Sequence, residues 1–149
     1  MNLDQKKAWL YRYQDSLHRQ ERLLSQLEEA RSRATSIQAT PGGVHTAPAG
    51  THSDRVADSV QRIDELQRKY TAEVEQGYQI YDEIQAAIEG IPGEVEQLIL
   101  YYSFLRGKEA EEIALLVERD ISRVYRLRSK AIKEFTVPED CTAPMPDGV

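Results

Sequence analysis

Six basic side chains lie close together between residues 119 and 133, with a single acid among them. They are Arg119, Arg123, Arg126, Arg128, Lys130 and Lys133, and the acid is Asp120. Six minus one gives this segment a net charge of +5, in a chain whose formal net charge is -6. Binding to a phosphate backbone depends on local positive charge that releases counterions, so the acidic total does not exclude nucleic acid.

The spacing of these residues predicts a helix with two different faces. Four cations recur at steps of three and four, and so project from one face: Arg123, Arg126, Lys130 and Lys133. The opposite face carries Val124, Leu127, Ala131 and Phe135. A solvated charged face is the plain alternative, but such faces usually mix charge signs at i and i+4. The pattern therefore favours one side packed on a small core and one side facing DNA.

The sequence contains no set of side chains suited to catalysis or metal binding. His18 lies among Arg and Gln, and His45 and His52 lie in a segment without Cys. Adjacent carboxylates such as Glu111 and Glu112 point about 100° apart on a helix, so they are surface charges before they are acid/base pairs. There is no HExxH, GxSxG or P-loop motif. We expect no enzyme, no cofactor and no metal.

The composition predicts a cytoplasmic protein with one modest core. The 149 residues are 40% hydrophobic and 30% charged. The lone Cys141 offers no internal disulfide, which fits a reducing compartment. The chain has no signal-peptide h-region and no apolar run of about 18 residues, so we expect neither secretion nor a membrane span.

Two long heptad-patterned helices are predicted to position the basic helix. The first covers residues 1–34, with a seam of Leu3, Leu10, Tyr13, Leu17, Leu24 and Leu27 that is interrupted by Lys6 and Gln20. The second covers residues 54–90, with Asp54 or Ser53 as its cap and Gly90 and Pro92 at its end. Its seam is Val56, Val60, Ile63, Gln67, Tyr70, Val74, Gly77, Tyr81, Ile84 and Ile88, widened by Leu66, Ile80 and Ala87.

Residues 35–53 between these helices are rich in Thr, Ser, Gly, Pro and Ala, and so predict a flexible linker. A linker of this length permits antiparallel and parallel helices alike, so the sequence leaves open an intramolecular pair or an oligomeric bundle. The predicted oligomerisation residues are Leu10, Tyr13, Leu17, Leu24, Leu27, Val60, Ile63, Tyr70, Val74, Tyr81 and Ile84.

Residues 91–135 are predicted to form a compact three-helix head. Its first helix runs from about Glu94 to Arg106, with Val95, Leu98, Ile99 and Tyr102 on one face, and stops at Gly107. A short helix from about Glu109 to Glu118 buries Ile113, Leu116 and Val117. The basic helix follows, capped by Asp120 or Ser122. Residues 136–149 are Pro-rich and acidic, and predict a disordered tail.

The residues of the head resemble the helix-turn-helix of sigma factor region four. The matching positions are Tyr102, Gly107, Glu112, Ile113, Ala114, Val117, Val124, Tyr125, Arg126 and Ala131. Over residues 1–135 the chain resembles small phage and prophage regulators of the ArpU and RinA type, whose opening is similar to MNLDQKKAWLYRY here. In this chain Glu118 stands where the group usually has the turn glycine, and Lys108 where it has an apolar residue.

This resemblance implies a sequence-specific DNA-binding regulator of phage late-gene transcription in a bacterial host. The supporting helix would be residues 109–117 and the recognition helix residues 121–135, with Ser122, Arg123 and Arg126 near base edges and Lys130 and Lys133 along the backbone. The complete predicted DNA-binding set is Arg119, Ser122, Arg123, Arg126, Ser129, Lys130 and Lys133. The expected partners are double-stranded DNA, a second copy of the chain in a dimer, and host RNA polymerase or another transcription protein, with no membrane.

Two other functions fit the same patterns. A DNA-packaging adaptor similar to a small terminase subunit would form a ring of eight or more copies. A protein-binding anti-repressor or inhibitor would use the acidic surfaces: Glu109, Glu111, Glu112 and Glu118 lie on or beside the supporting helix. Residues 54–100 also carry 4 basic and 11 acidic side chains, a net -7.

Overall fold

The chain folds into helices, as the sequence predicts. The computed structural model describes residues 1–39 and 51–138, and over these residues it contains no strand. The helices are α1 (Leu3–Ala39), α2 (Thr51–Glu89), α3 (Glu94–Leu100), α4 (Ala110–Val117) and α5 (Ile121–Glu134), and a π-helical turn, Tyr101–Leu105, continues α3. The predicted all-α fold, with two long helices followed by three short ones, is confirmed. Within the described residues, no helix is both long and apolar enough to cross a bilayer.

The two long helices extend further than predicted. Residues 35–39 belong to α1 and residues 51–53 to α2, so both ends of the predicted linker were wrong. Ser53 and Asp54 lie inside α2 and are not its cap. The physical reason is that the linker's strong helix breakers, its prolines and glycines, all fall within residues 41–50. Residues 40–50 and the predicted tail from residue 139 onward, with His45 and Cys141, lie outside the described residues.

The chain forms two compact units. The large unit contains residues 1–17 and the described residues from Gln76 onward, and the small unit is His18–Glu75. The large unit therefore includes all of the predicted head together with the start of α1 and the end of α2. One core of buried residues joins these elements: Trp9, Leu10, Ile80, Ile84, Ala87, Ile88, Ile91, Leu100, Phe104, Leu105, Ala131, Ile132 and Phe135.

In the large unit, α1 and α2 pair within a single chain. Arg12 donates to Glu83 at 3.0 Å, and the Tyr13 and Tyr81 rings meet edge to face at 5.1 Å between centroids. Trp9 is fully buried, 5.7 Å from the Phe135 ring, although the heptad pattern gave it no role. The buried face of each helix is thus rotated relative to the predicted heptad seam, towards Trp9 on α1 and towards Ile80 on α2.

In the small unit, α1 and α2 also pair within the chain. Leu27 and Leu66 are buried, and Arg19 donates to Glu73 at 2.8 Å. Two predicted oligomerisation residues are exposed here, Leu24 by 38% and Val60 by 52%. Of the other predicted oligomerisation residues of the chain, Leu10, Leu27 and Ile84 are buried, and Tyr13, Leu17, Ile63, Tyr70, Val74 and Tyr81 are half-buried.

The first helix of the head is not one regular α-helix. After Leu100 the chain adopts the π-helical turn, in which the Arg106 N–H donates to the Tyr101 carbonyl at 3.1 Å. A π turn holds an extra residue and so changes which side chains face inward. Within this turn Phe104 and Leu105 are buried. Before the turn, Ile99 and Leu100 are fully buried, and Leu98, which we expected to be on the packed face, is 40% exposed.

Candidate nucleic-acid interface

A second, smaller core holds α3, α4 and α5 together. Its buried members are Ile99, Ile113, Val117 and Val124, with Val95, Tyr102, Ala114 and Leu127 packed against them. The predicted apolar face of α5 is confirmed, since Val124, Ala131 and Phe135 are buried and Leu127 is half-buried. This core fixes α5 with its opposite face towards solvent.

A three-residue turn joins α4 to α5. Glu118 adopts the left-handed conformation, with φ +56° and ψ +49°, and its N–H donates to the Ala114 carbonyl. Arg119 donates from Nη1 to the carbonyls of Val117 and Glu118 at 3.2 and 3.0 Å. Asp120 is the N-cap residue of α5, without a side-chain capping bond. The turn is thus built without the glycine usual at such a position, and Arg119 stabilises the carbonyl end of α4.

The predicted DNA-binding side chains of α5 are all exposed. This holds for Ser122, Arg123, Arg126, Ser129, Lys130 and Lys133, and also for Arg119 in the turn. At about 100° per residue, the members pointing furthest from the buried Val124 are Ser122, Arg126, Ser129 and Lys133. Arg123 lines a groove against Ala114 and Leu115 of α4, and the Lys130 ammonium lies 4.0 Å from Glu96 of α3. The cations therefore cover the outer face of α5 and the flank beside α4.

Arg128 is the exception among the six basic residues. It is half-buried, its guanidinium lies 5.0 Å from the centre of the Phe104 ring, and it donates to the Tyr11 hydroxyl at 2.9 Å. Arg128 therefore anchors α5 to α1 and does not contribute to the exposed cationic face. Its long-range partner Tyr11 could not be read from the local sequence.

Lys6 of α1 anchors the C-terminal end of α5. Its ammonium donates to the carbonyls of Lys133 and Phe135 at 2.8 and 2.9 Å. A cation at the C-terminus of a helix satisfies carbonyls that have no partner within the helix and interacts favourably with the helix dipole. Lys6, which interrupts the predicted apolar seam of α1, thus makes the contact that fixes the end of α5.

The exposed face of α4 is acidic and apolar. Glu111 and Glu112 are exposed, and Glu112 lies 3.5 Å from the Lys108 ammonium. Leu115 is 81% exposed and Leu116 is 51% exposed, so the prediction that Leu116 is buried was wrong. In a helix of eight residues, Ile113 and Val117 fill the contact with Val124, and Leu116 is turned away from it.

Two apolar or aromatic side chains of α5, for which we predicted no DNA-binding role, are exposed near these cations. Ile121 is 39% exposed and Tyr125 is 51% exposed. In the sequence they are four residues apart, and steps of three and four continue the same flank of the helix to Arg128 and Ile132. Neither residue is charged, so the pattern of basic residues does not include them.

Two tyrosines of the large unit have shifted ionisation. Burial raises the pKa of Tyr13, and the neighbouring Tyr78 raises it further. Burial also raises the pKa of Tyr81, which interacts with Tyr101. Both hydroxyls therefore stay protonated at neutral pH.

Within residues 1–39 and 51–138, no group of three or more His, Cys, Asp or Glu side chains is placed to hold a metal ion. Comparisons of the chain with protein-family models, curated proteins and solved structures found no match.

Proposed function

We propose that this chain is a sequence-specific DNA-binding regulator of phage or prophage late-gene transcription. In this proposal α4 and α5 form a helix-turn-helix, and α5 enters the major groove. A dimer that pairs through the heptad-patterned helices presents two such elements and gains affinity through multivalency. Host RNA polymerase or another transcription protein would be its further partner.

One observation carries the proposal: the exposed face of α5 is cationic over its whole length. Arg126 and Lys133 point straight outward, Arg123 and Lys130 flank them, and Val124 on the opposite face is fully buried. The anchors at Lys6 and Arg128 hold this face in a fixed orientation. A rigid helix with cations on one side and a core on the other suits a phosphate-lined groove.

Selection of bound DNA from a random pool at two salt concentrations tests the proposal. We expect one enriched motif, and an affinity that falls steeply as salt rises. On the selected site, Arg126→Ala should cost about 1–3 kcal/mol and relax one position, as expected for a base contact. Lys133→Ala should weaken all sequences equally and reduce the salt slope by about one unit.

Arg68→Ala is the matched control, because Arg68 is equally an exposed helical arginine but lies on α2 in the small unit. It should leave affinity and preference unchanged. Wild-type affinity in a variant that replaces Arg123, Arg126, Lys130 and Lys133 together would refute DNA binding through α5.

The exposed face of α4 favours a second candidate, a protein-binding inhibitor. Leu115 and Leu116 are exposed beside Glu111 and Glu112, which is a surface for a partner that is both apolar and basic. This candidate predicts tight binding to one protein that Leu115→Ser and Leu116→Ser abolish, together with no salt-dependent binding to DNA.

A further inference from the structure

Ile121 and Tyr125 form an exposed apolar strip at the start of α5. They are four residues apart and so lie on one flank of the helix. The same line continues with Arg128, which contacts Tyr11, and with Ile132, which is 1% exposed in the large core. The strip is therefore the uncovered part of a flank whose second half is packed.

Tyr125 differs from most tyrosines of the large unit. Each of the others except Tyr78 has an aromatic neighbour: Tyr11, Tyr13, Tyr81, Tyr101 and Tyr102. In the part of the chain that the structure describes, Tyr125 has neither a ring contact nor a hydrogen bond of its side chain. Among residues 1–39 and 51–138, neither a ring contact nor a hydrogen bond thus accounts for an aromatic residue at this position.

The strip borders the outward face of α5. Ser122 directly follows Ile121, and Arg126 directly follows Tyr125, so each apolar residue shares a helical turn with a polar or cationic residue that points outward. A surface that meets Ser122 and Arg126 must also approach the strip. The same exposed face carries Lys130 and Lys133, and lysine is depleted at the centre of protein interfaces, so this face fits a polyanion better.

We propose that Ile121 and Tyr125 contact the C5-methyl groups of thymines in the major groove. The thymine methyl is the apolar group that the base pairs display there, and apolar side chains distinguish it from the other bases. The strip then determines specificity beside the hydrogen-bonding residues, and places thymine next to the base that Arg126 reads. This inference rests on the proposed DNA binding.

Replacement of thymine by uracil in the selected DNA site tests the strip, because uracil lacks only the C5-methyl group. We expect the wild-type protein to lose about fourfold in affinity at each contacted thymine, the effect of one buried methylene-sized group. Ile121→Ala and Tyr125→Ala should each bind the thymine and uracil forms equally at one position. Tyr125→Phe should keep the thymine preference, because the ring makes the contact.

Tyr78→Ala is the matched control. It is the same substitution at a tyrosine of the large unit that is 69% exposed, on α2. It should keep the wild-type preference for thymine over uracil. Circular dichroism should show unchanged helix content in all four variants, because each substitution is at an exposed or partly exposed side chain.

The outcomes separate this inference from the proposed function. Salt-dependent, sequence-specific binding with equal affinity for thymine and uracil at every position overturns the strip and leaves DNA binding intact. No salt-dependent binding by the wild type rejects the proposed function and the strip with it. Loss of a dimer in Tyr125→Ala, with the thymine preference unchanged, identifies the strip as a protein contact and also overturns the inference.

Discussion

Two arginine–glutamate pairs join α1 to α2, one in each compact unit, and their surroundings differ. In the large unit Arg12 and Glu83 are 3.0 Å apart, with side chains 4% and 15% exposed. In the small unit Arg19 and Glu73 are 2.8 Å apart, but Arg19 is 42% exposed. The charged groups and the helices are the same, so the two pairs differ in burial and in what surrounds the arginine, since Arg12 also donates to the Trp9 carbonyl at 3.0 Å. A buried pair depends on both partners, whereas water screens a half-exposed one.

The cores around these pairs differ in the same direction. The Arg12 guanidinium lies 4.6 Å from the centre of the Trp9 ring, within a core to which α1, α2, α3, the π-helical turn and α5 contribute. Among the described residues of the small unit, the buried apolar side chains are Leu27 and Leu66. Stability is thus concentrated in the large unit, which also holds the candidate interface. The exposed Leu24 and Val60 leave the small unit suited to the proposed dimer contact.

Removal of the largest buried side chain should give the largest effect. Trp9→Ala should lower the free energy of unfolding by about 3–5 kcal/mol, because it opens a cavity in the core that five elements share. Leu27→Ala should cost about 2 kcal/mol, the lower end for a leucine, since a contact between two helices collapses more easily. Urea unfolding followed by circular dichroism measures both. Equal losses would remove the distinction between the units.

Removal of one acid from each pair is the most direct way to break the comparison. Glu83→Ala should cost about 3 kcal/mol, because it leaves the buried Arg12 charge without this carboxylate. Glu73→Ala should cost less than about 1 kcal/mol, as is usual for a half-exposed pair. The single Trp reports the large unit, so its fluorescence during urea unfolding should shift strongly for Glu83→Ala. A larger loss for Glu73→Ala would reverse our interpretation.

The two left-handed residues of the large unit should respond with opposite signs. Gly107 has φ +65°, and an added Cβ would lie 2.9 Å from the Gln14 side-chain oxygen. Gly107→Ala should therefore cost about 1–2 kcal/mol. Glu118→Gly should stabilise by at most about 1 kcal/mol, since the greater freedom of glycine in the unfolded chain offsets part of the relief. Thermal unfolding should show a lower midpoint for the first variant and a higher one for the second.

The smallest expected effect depends on pH. Because the folded pKa values of Tyr13 and Tyr81 are raised, their contribution is fully present below about pH 10, the ordinary tyrosine value. It is lost as pH rises through the raised folded values. The large unit should therefore be less stable to urea at about pH 11 than at about pH 9. A double Tyr13→Phe, Tyr81→Phe variant should show a smaller loss, and an equal loss would assign the effect to other groups.

Local patterns predicted most of what depends on a single helix. The all-α fold, the packed face of α5 around Val124 and the stop at Gly107 follow from periodicity and from the conformational freedom of glycine. Periodicity was less reliable where adjacent apolar residues compete for the core. Leu116 is an example: it is exposed, because Ile113 and Val117 are sufficient for the contact that a two-turn helix makes with the core.

Contacts between distant segments could not be predicted. In the sequence, Lys6 interrupts a heptad pattern and Arg128 is one of several cations. In the structure, both form hydrogen bonds with residues more than 100 positions away. The exposure of the predicted interface residues agrees with the helical pattern.

The contact between Trp9 of α1 and Phe135, at the end of α5, also affects how the protein folds during synthesis. Trp9 leaves the ribosome before its partner Phe135, which follows 126 residues later. Closing so long a loop costs entropy before any contact repays it, and contacts this distant in sequence slow folding. We therefore expect the large unit to form only after synthesis has passed α5. A message truncated before that point would yield a chain with an uncovered tryptophan, which cellular proteases can recognise and remove.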